Sequence, residues 1–309
     1  MSCCEPVRAL PPSDGRHREL YDRVREAVQS LPAYFHTETV IEGISATDVF
    51  TLNSALAATI ESQVVATLNQ MRAVWDPDQE YQLYSFVRQA QTFPDVLLRK
   101  TSVSGGAEDD ILLGIELKGW YLLAKEREPS FRFEVTPMAC AVQDLIVVVP
   151  WVLSNVISGT PRLFLPYVES ARYAAEFRNY HWSVLRETAS ARGIVSPQHV
   201  APYPAKSDRI ADKPEYDSGG NFGRFARTGI MDHYLDRMRH EELCGIQAEQ
   251  WLHFFKIFQE NREEAQIQQA FTRLRKAVRD AMLRCEPSRK HEMLLAVLDA
   301  LEALLEEDA

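Results

Sequence analysis

Leu52, Leu56, Ile60, Val64, Leu68, Met71 and Trp75 recur every three or four positions, the spacing that gathers apolar side chains on one side of an α-helix. Ser45 or Thr47 is placed to cap this helix, and Asp76-Pro77-Asp78 is expected to end it. An earlier, more polar helix is expected over Arg16 to Gln29, stopped by Ser30-Leu31-Pro32. After Asp78 the pattern becomes strand-like. Tyr81 to Gln89, Phe93 to Arg99 and Ile111 to Leu123 read as three successive strands, the last two separated by the Gly-rich acidic stretch Ser102 to Asp110. Such short connections favour an antiparallel meander. A helical turn near Pro137 then leads into Leu145 to Val149, a β-branched run of the kind that is buried on both faces of a sheet.

This order predicts an α/β fold, a mixed β-sheet flanked by helices, with a largely helical C-terminal third. Further along, Tyr167 to Arg192 reads as an arginine-bearing helix, Pro197 to Pro214 as a Pro-punctuated loop and Asp217 to Gly229 as a Gly-rich segment. From Ile230 onward the chain is expected to be helical apart from a break at Glu286-Pro287. Trp251, Leu252, Phe254, Phe255 and Phe258 are too bulky for a solvated face, so their helix is buried or at an interface. Met293, Leu294, Val297, Leu298, Leu301, Leu304 and Leu305 form a final stripe that suits the core or, alternatively, a dimer contact.

Composition sets outer bounds. The 309 residues are 46% hydrophobic and 25% charged, enough to bury a full core in one large or two modest domains. The formal net charge of -10 argues against non-specific coating of nucleic acid or anionic lipid, though not against a local basic cleft. The longest apolar run, Leu145 to Val156, contains Pro150 and Asn155 and falls short of the roughly 18 to 20 residues of a membrane span. The charged, Pro-rich start has no apolar export segment, and the five cysteines lack the Cys-x-x-Cys spacing of a zinc site. Together these predict a cytoplasmic protein without a membrane partner.

Candidate chemistry centres on Glu116-Leu117-Lys118 in the third strand. Side chains two apart on a strand share a face, so this carboxylate and ammonium point together while Ile115 and Leu117 face the core. Pro94-Asp95 opens the preceding strand, which a hairpin brings alongside. Two carboxylates on neighbouring strands suit a hard divalent cation such as Mg²⁺, leaving coordination sites for water and a phosphate. A lysine beside them can orient a water or offset charge developing on phosphorus. A structural ion pair is the alternative for Glu116 and Lys118. Against it, Glu116 is the only acidic residue two places before a lysine, and it lies among Leu112, Leu113, Ile115 and Leu117.

Pro94-Asp95 followed by Glu116-x-Lys118, after an amphipathic helix and on a strand hairpin, resembles the PD-(D/E)XK nuclease superfamily, above all its type II restriction endonucleases. The resemblance covers roughly residues 45 to 155. It implies Asp95 and Glu116 as Mg²⁺ ligands, Lys118 as the catalytic lysine and hydrolysis of a phosphodiester. Many members add a carboxylate from the preceding helix, for which Glu61 is the candidate and Glu80 the rival. The chain then divides into an N-terminal extension (1–44), a nuclease core (45–155), a DNA-recognition segment (156–230) and a helical part packed on the core (231–309).

Between Pro161 and Thr228 ten basic residues face seven acidic ones, a net of +3 in a chain of -10. Within that segment Arg178, Arg186, Asn221, Arg224 and Arg227 are the candidates for contacting double-stranded DNA. The glycines of Asp217 to Gly229 suit close approach to another molecule and equally suit a hinge before a helix; no P-loop lysine or dinucleotide-fold glycine order is present, so no nucleotide cofactor is expected. A palindromic target calls for a two-fold partner, hence a homodimer. The expected activity is Mg²⁺-dependent, site-specific DNA cleavage. The alternatives are a repair or structure-specific nuclease on the same core and a non-catalytic DNA-binding protein.

Overall fold

The computed structural model describes the chain except for residues 1–3, 14–15, 46–47, 90–91, 102–110, 187–192, 258–263, 285–291, 293–294, 297 and 300–309. Helix α1 (Arg16–Tyr34) runs past the expected stop, with Pro32 in its last turn. Leu20, Tyr21, Val24, Ala27, Val28 and Leu31 are buried along one face, and Phe35 N–H still donates to the Leu31 carbonyl at 2.8 Å, so packing and the remaining bonds outweigh the one that Pro32 cannot make. Helix α2 (Leu52–Gln70) begins after a 3₁₀ turn at Val49–Thr51 and is followed by the short α3 (Arg72–Trp75). Ser45 does not cap α2: it lies before the 3₁₀ turn, where its carbonyl accepts from Asp48 N–H, and Thr47 is outside the described residues. The predicted stripe does pack, with Leu52, Ile60, Val64, Leu68, Met71 and Trp75 all buried.

The three expected strands form a meander of β1 (Tyr84–Arg88), β2 (Val96–Lys100) and β3 (Ile111–Tyr121), antiparallel throughout. The turn expected at Ser102 to Asp110 falls almost wholly outside the described residues. Strand β4 (Leu145–Leu153) is buried at every position and pairs parallel with β3. It runs on past the expected Leu145 to Val149, through Pro150. Two short strands share its other edge, β5 (Pro161–Leu163) opposite Trp151–Leu153 and β6 (Tyr167–Ser170) opposite Leu145–Val148. Pro150, lacking an N–H, falls between the two partners, where no ladder bond is demanded of it. The sheet is therefore mixed, in the order β1-β2-β3-β4-β5 with β6 beside β4.

One expectation is met and one corrected here: the helical turn near Pro137 is present, and the helix expected from Tyr167 starts later. The crossover from β3 to β4 carries only a 3₁₀ turn at Pro137–Ala139, because residues 131–136 are drawn out to bond residues 210–212 and 223–225: Thr136 N–H donates to Ile210 and Phe133 N–H to Gly223, both at 2.7 Å. Tyr167 to Ser170 is a strand rather than helix, because the open edge of β4 needs a hydrogen-bonding partner. Helix α4 (Ala171–Tyr180) starts just beyond it, with Ser170 Oγ accepting from Tyr173 N–H, and passes into a π-turn at His181–Leu185. A two-residue ladder then joins β7 (Ile194–Val195) to β8 (Lys213–Pro214).

The C-terminal third holds α5 (Asp232–Arg239), α6 (Ala248–Ile257) and α7 (Glu264–Arg284), but it is not helical throughout. A hairpin of β9 (Glu242–Leu243) and β10 (Ile246–Gln247) intervenes, turning at Cys244 and Gly245, which both take positive φ (54° and 82°) as a two-residue hairpin of this hand requires. Trp251, Phe254 and Phe255 are buried, with Phe254 edge-on to Phe271 of α7 at 5.5 Å, so the bulky stripe of α6 belongs to the core. Most of the last predicted stripe lies outside the described residues; Leu298 is buried. Helix α2 lies against β1 and β3, and α4 against β4 and β6. Among the described residues no helix is long and apolar enough to cross a membrane.

Candidate active site

Asp95 directly precedes β2, and the β2/β3 register pairs Val96 with Ile115, which sets Asp95 beside Glu116. The peptide bond before Pro94 is cis. Pro94 packs beneath Gly114: a methyl group at Gly114 would overlap Pro94 Cγ and stand 2.9 Å from Asp144 Oδ1, so only glycine lets β3 pass this close. Asp95 Oδ2 accepts from Leu117 N–H at 3.1 Å, which holds the carboxylate against β3. Strand alternation buries Ile115 and Leu117 and leaves Glu116 and Lys118 together on the other face, as the spacing predicts.

Glu61 reaches this cluster from α2. Its Oε1 accepts from Gly119 N–H at 3.0 Å and lies 3.8 Å from Lys118 Nζ, while Oε2 lies 3.6 Å from the Arg88 guanidinium. Arg88, at the end of β1, also donates to the Ala58 carbonyl and to Ser62 Oγ, which ties that strand to α2. Glu80 is elsewhere, exposed in the turn after α3, where its charge acts on Arg23 of α1. Of the two carboxylates considered beside the pair, Glu61 is the one the fold brings to it.

The electrostatics follow from burial. Loss of water, and then the adjacent Asp95 charge, pushes the Glu116 carboxyl up to about 8 against the pull of Lys118. Burial likewise raises Asp95, opposed by its bond from Leu117 and aided by the Glu61 charge. Glu116 Oε2 is buried with no hydrogen-bond partner among the described residues. Such an atom is costly unless a proton or a cation satisfies it. A hard cation seated between Asp95 and Glu116 therefore fits these two side chains. They are a pair only: among the described residues no group of three His, Cys, Asp or Glu side chains is assembled to hold a metal.

Asp144, fully buried at the start of β4, supports the site from behind and has no signal in the sequence. Its Oδ1 accepts from Gly114 N–H at 2.8 Å and from the Tyr203 hydroxyl at 3.1 Å, and its Oδ2 accepts from Ala141 N–H at 2.7 Å. Burial lifts its carboxyl to about 6 in spite of those bonds.

The five residues expected to face DNA divide. Arg178 is a core residue, 2% exposed. It donates to the Phe133 and Val135 carbonyls at 2.6 and 3.0 Å and pairs with Asp212 Oδ2 at 2.5 Å, so its guanidinium is spent inside the protein. That position was legible: Ala171, Ala174, Ala175 and Arg178 share one helical face, and the three alanines are buried. Arg186, Asn221, Arg224 and Arg227 line a common cavity of about 410 Å³, whose wall Arg178 also reaches. Arg227 is paired there with Glu128 at 2.6 Å and with Asn221 Oδ1 at 2.9 Å. The Gly-rich segment is folded on its own chain, with both Asp217 oxygens accepting from the Asn221 and Phe222 N–H groups and Gly223, at φ 77°, packed on Glu134 and Phe133.

No family model matches the chain, and neither a curated protein nor a solved structure resembles it significantly.

Proposed function

We propose that the protein is a Mg²⁺-dependent endonuclease that hydrolyses phosphodiester bonds of double-stranded DNA at a specific sequence, on a core like that of PD-(D/E)XK type II restriction endonucleases. The observation that carries this reading is the buried Glu116 Oε2, without a hydrogen-bond partner among the described residues, beside Asp95 and Lys118 at the mouth of a hairpin. Asp95 and Glu116 would hold the cation. Glu61 already serves a backbone N–H and two cationic side chains, so its part is to position Lys118 and Arg88.

When bound, Mg²⁺ supplies Lewis-acid polarisation of the phosphoryl group. Lys118 Nζ, steered by Glu61, hydrogen-bonds the incoming water or a phosphate oxygen and offsets the negative charge that grows as the new P–O bond forms and the old one breaks. Arg88 adds a second positive charge on the same side. A palindromic site would bring two copies of the chain together, one per strand.

The test is cleavage of phage DNA with Mg²⁺ by the wild type, Asp95→Asn and Glu116→Gln. Discrete bands that disappear in both folded variants are expected. Undiminished cutting by both variants would overturn the assignment of the site, and a smear in place of bands would favour a structure-specific nuclease.

A further inference from the structure

A second site lies in the cavity between the π-turn after α4 and the Asp217–Thr228 segment. Its volume, about 410 Å³, lies within the span of roughly 300 to 1,000 Å³ that small-molecule pockets occupy. Four arginines (Arg178, Arg186, Arg224 and Arg227) and one carboxylate, Asp217, line it, in a chain whose net charge is -10. Asp217 is committed to the backbone of its own loop, Arg178 to Asp212 and Arg227 to Glu128. Arg224 makes no ion pair among the described residues.

The floor is built before any ligand arrives. Trp182, which lines the cavity, is backed by Ile194 and Phe222 in a small hydrophobic cluster separate from the main core. Trp182 meets Phe222 edge-on at 5.2 Å, the Arg186 guanidinium lies 3.6 Å over the Trp182 ring, and the Arg178 guanidinium lies 5.0 Å over Phe222. Cations clamped on rings in this way are preorganised, so little side-chain order is lost on binding. Trp182 Nε1–H is buried with no acceptor among the described residues, which leaves a donor unsatisfied in the pocket wall. Tyr216 lines the same cavity with 56% of its surface exposed, a free aromatic face at the rim.

A bare anion would use the arginines and ignore the ring, while an apolar ligand would leave the arginines unanswered. A group carrying both a phosphate and a flat heterocycle uses both. We propose that this cavity binds one nucleotide unit, its phosphate at Arg224 and its base against Tyr216. The same chemistry arrives either as a free mononucleotide or as a nucleotide swung out of a DNA stack; the second source rests on the nuclease reading, and the first does not.

The experiment titrates the wild-type protein with dAMP, dGMP, dCMP and TMP, with the matching nucleosides and with inorganic phosphate, by calorimetry and by tryptophan fluorescence, using Trp182→Phe to assign the signal. At least one mononucleotide is expected to bind saturably, at least tenfold tighter than its nucleoside or phosphate alone, with quenching lost in Trp182→Phe and affinity reduced at least tenfold in Arg224→Gln and in Tyr216→Ala. A parallel arm follows 2-aminopurine in duplex DNA with Glu116→Gln, where a fluorescence rise that Arg224→Gln abolishes identifies the DNA source. Absence of mononucleotide binding together with unchanged 2-aminopurine emission overturns the proposal, as does binding that survives both Arg224→Gln and Tyr216→Ala. Mononucleotide binding without any DNA cleavage would remove the nuclease reading and leave the pocket standing; cleavage without binding in either arm would do the reverse.

Discussion

Glu61 on α2 stands 3.8 Å from Lys118 Nζ on β3 while its Oε1 accepts from Gly119 N–H, so one carboxylate spans helix and strand at the lysine of the candidate site. If Lys118 acts on the phosphate, Lys118→Ala is expected to lower kcat by about 10² to 10³-fold, in keeping with loss of one positioned charge. Glu61→Ala is expected to lower kcat less and to leave the Mg²⁺ response of thermal stability intact. An Mg²⁺ response lost in Glu61→Ala would make Glu61 a metal ligand and not a positioning residue.

Glu116 titrates near 4.5 when unperturbed and at about 8 in the folded, metal-free protein. Because the folded state holds this proton more tightly, the contribution to stability is complete below about pH 4.5 and is lost as pH rises through 8. Glutamine imitates the protonated form. Glu116→Gln is therefore expected to be more stable than the wild type at high pH without metal, by up to about 5 kcal/mol. Urea denaturation at pH 5 and pH 9 with chelator checks this, and parallel losses in the two proteins would contradict it.

Mg²⁺ should oppose that loss, since it favours the ionised pair. At about 100 times its dissociation constant a ligand specific to the folded state adds about 2.7 kcal/mol. The melting temperature at pH 8 is expected to rise with Mg²⁺ in the wild type and to stay constant in the Asp95→Asn/Glu116→Gln double variant.

Arg178 and Arg224 make a contrast in stability. Removing one partner of a buried ion pair costs about 3 to 5 kcal/mol, because the other charge is left stranded. Arg178→Ala, which strands Asp212 and frees two backbone carbonyls, is expected to lose that much. Arg224→Gln is expected to change stability by less than about 0.5 kcal/mol. Equal effects in chemical denaturation would refute this division.

Asp144 supplies a test away from the metal pair. Asparagine at 144 turns one acceptor oxygen into a donor facing either Ala141 N–H or the Gly114 and Tyr203 donors. Asp144→Asn is expected to cost about 1 to 3 kcal/mol, the penalty for a buried donor left unmade. Cleavage should fall with it if Gly114 and Pro94 shift, which activity at a temperature well below the melting point would reveal.

Much of the scaffold is local and therefore readable. Period-two alternation alone puts Glu116 and Lys118 on one face with Ile115 and Leu117 on the other, and period 3.6 puts Ile60, Val64 and Leu68 against the sheet, with Glu61 beside them. Short connections likewise settle the β1-β2-β3 meander. What the sequence could not decide depends on partners distant along the chain. Tyr167–Ser170 is a strand only because β4 offers an open edge to it, and residues 131–136 are extended only because residues 210–212 and 223–225 lie alongside. Arg178 looks like a solvated cation until Asp212 and two carbonyls close around it; its neighbours Ala171, Ala174 and Ala175 were the one local hint. The site divides in the same way. Backbone periodicity aligned the carboxylates and the lysine, whereas the reach of Glu61, the support from Asp144 and the cavity around Arg224 come from tertiary contacts, which bring together side chains that no sequence spacing relates.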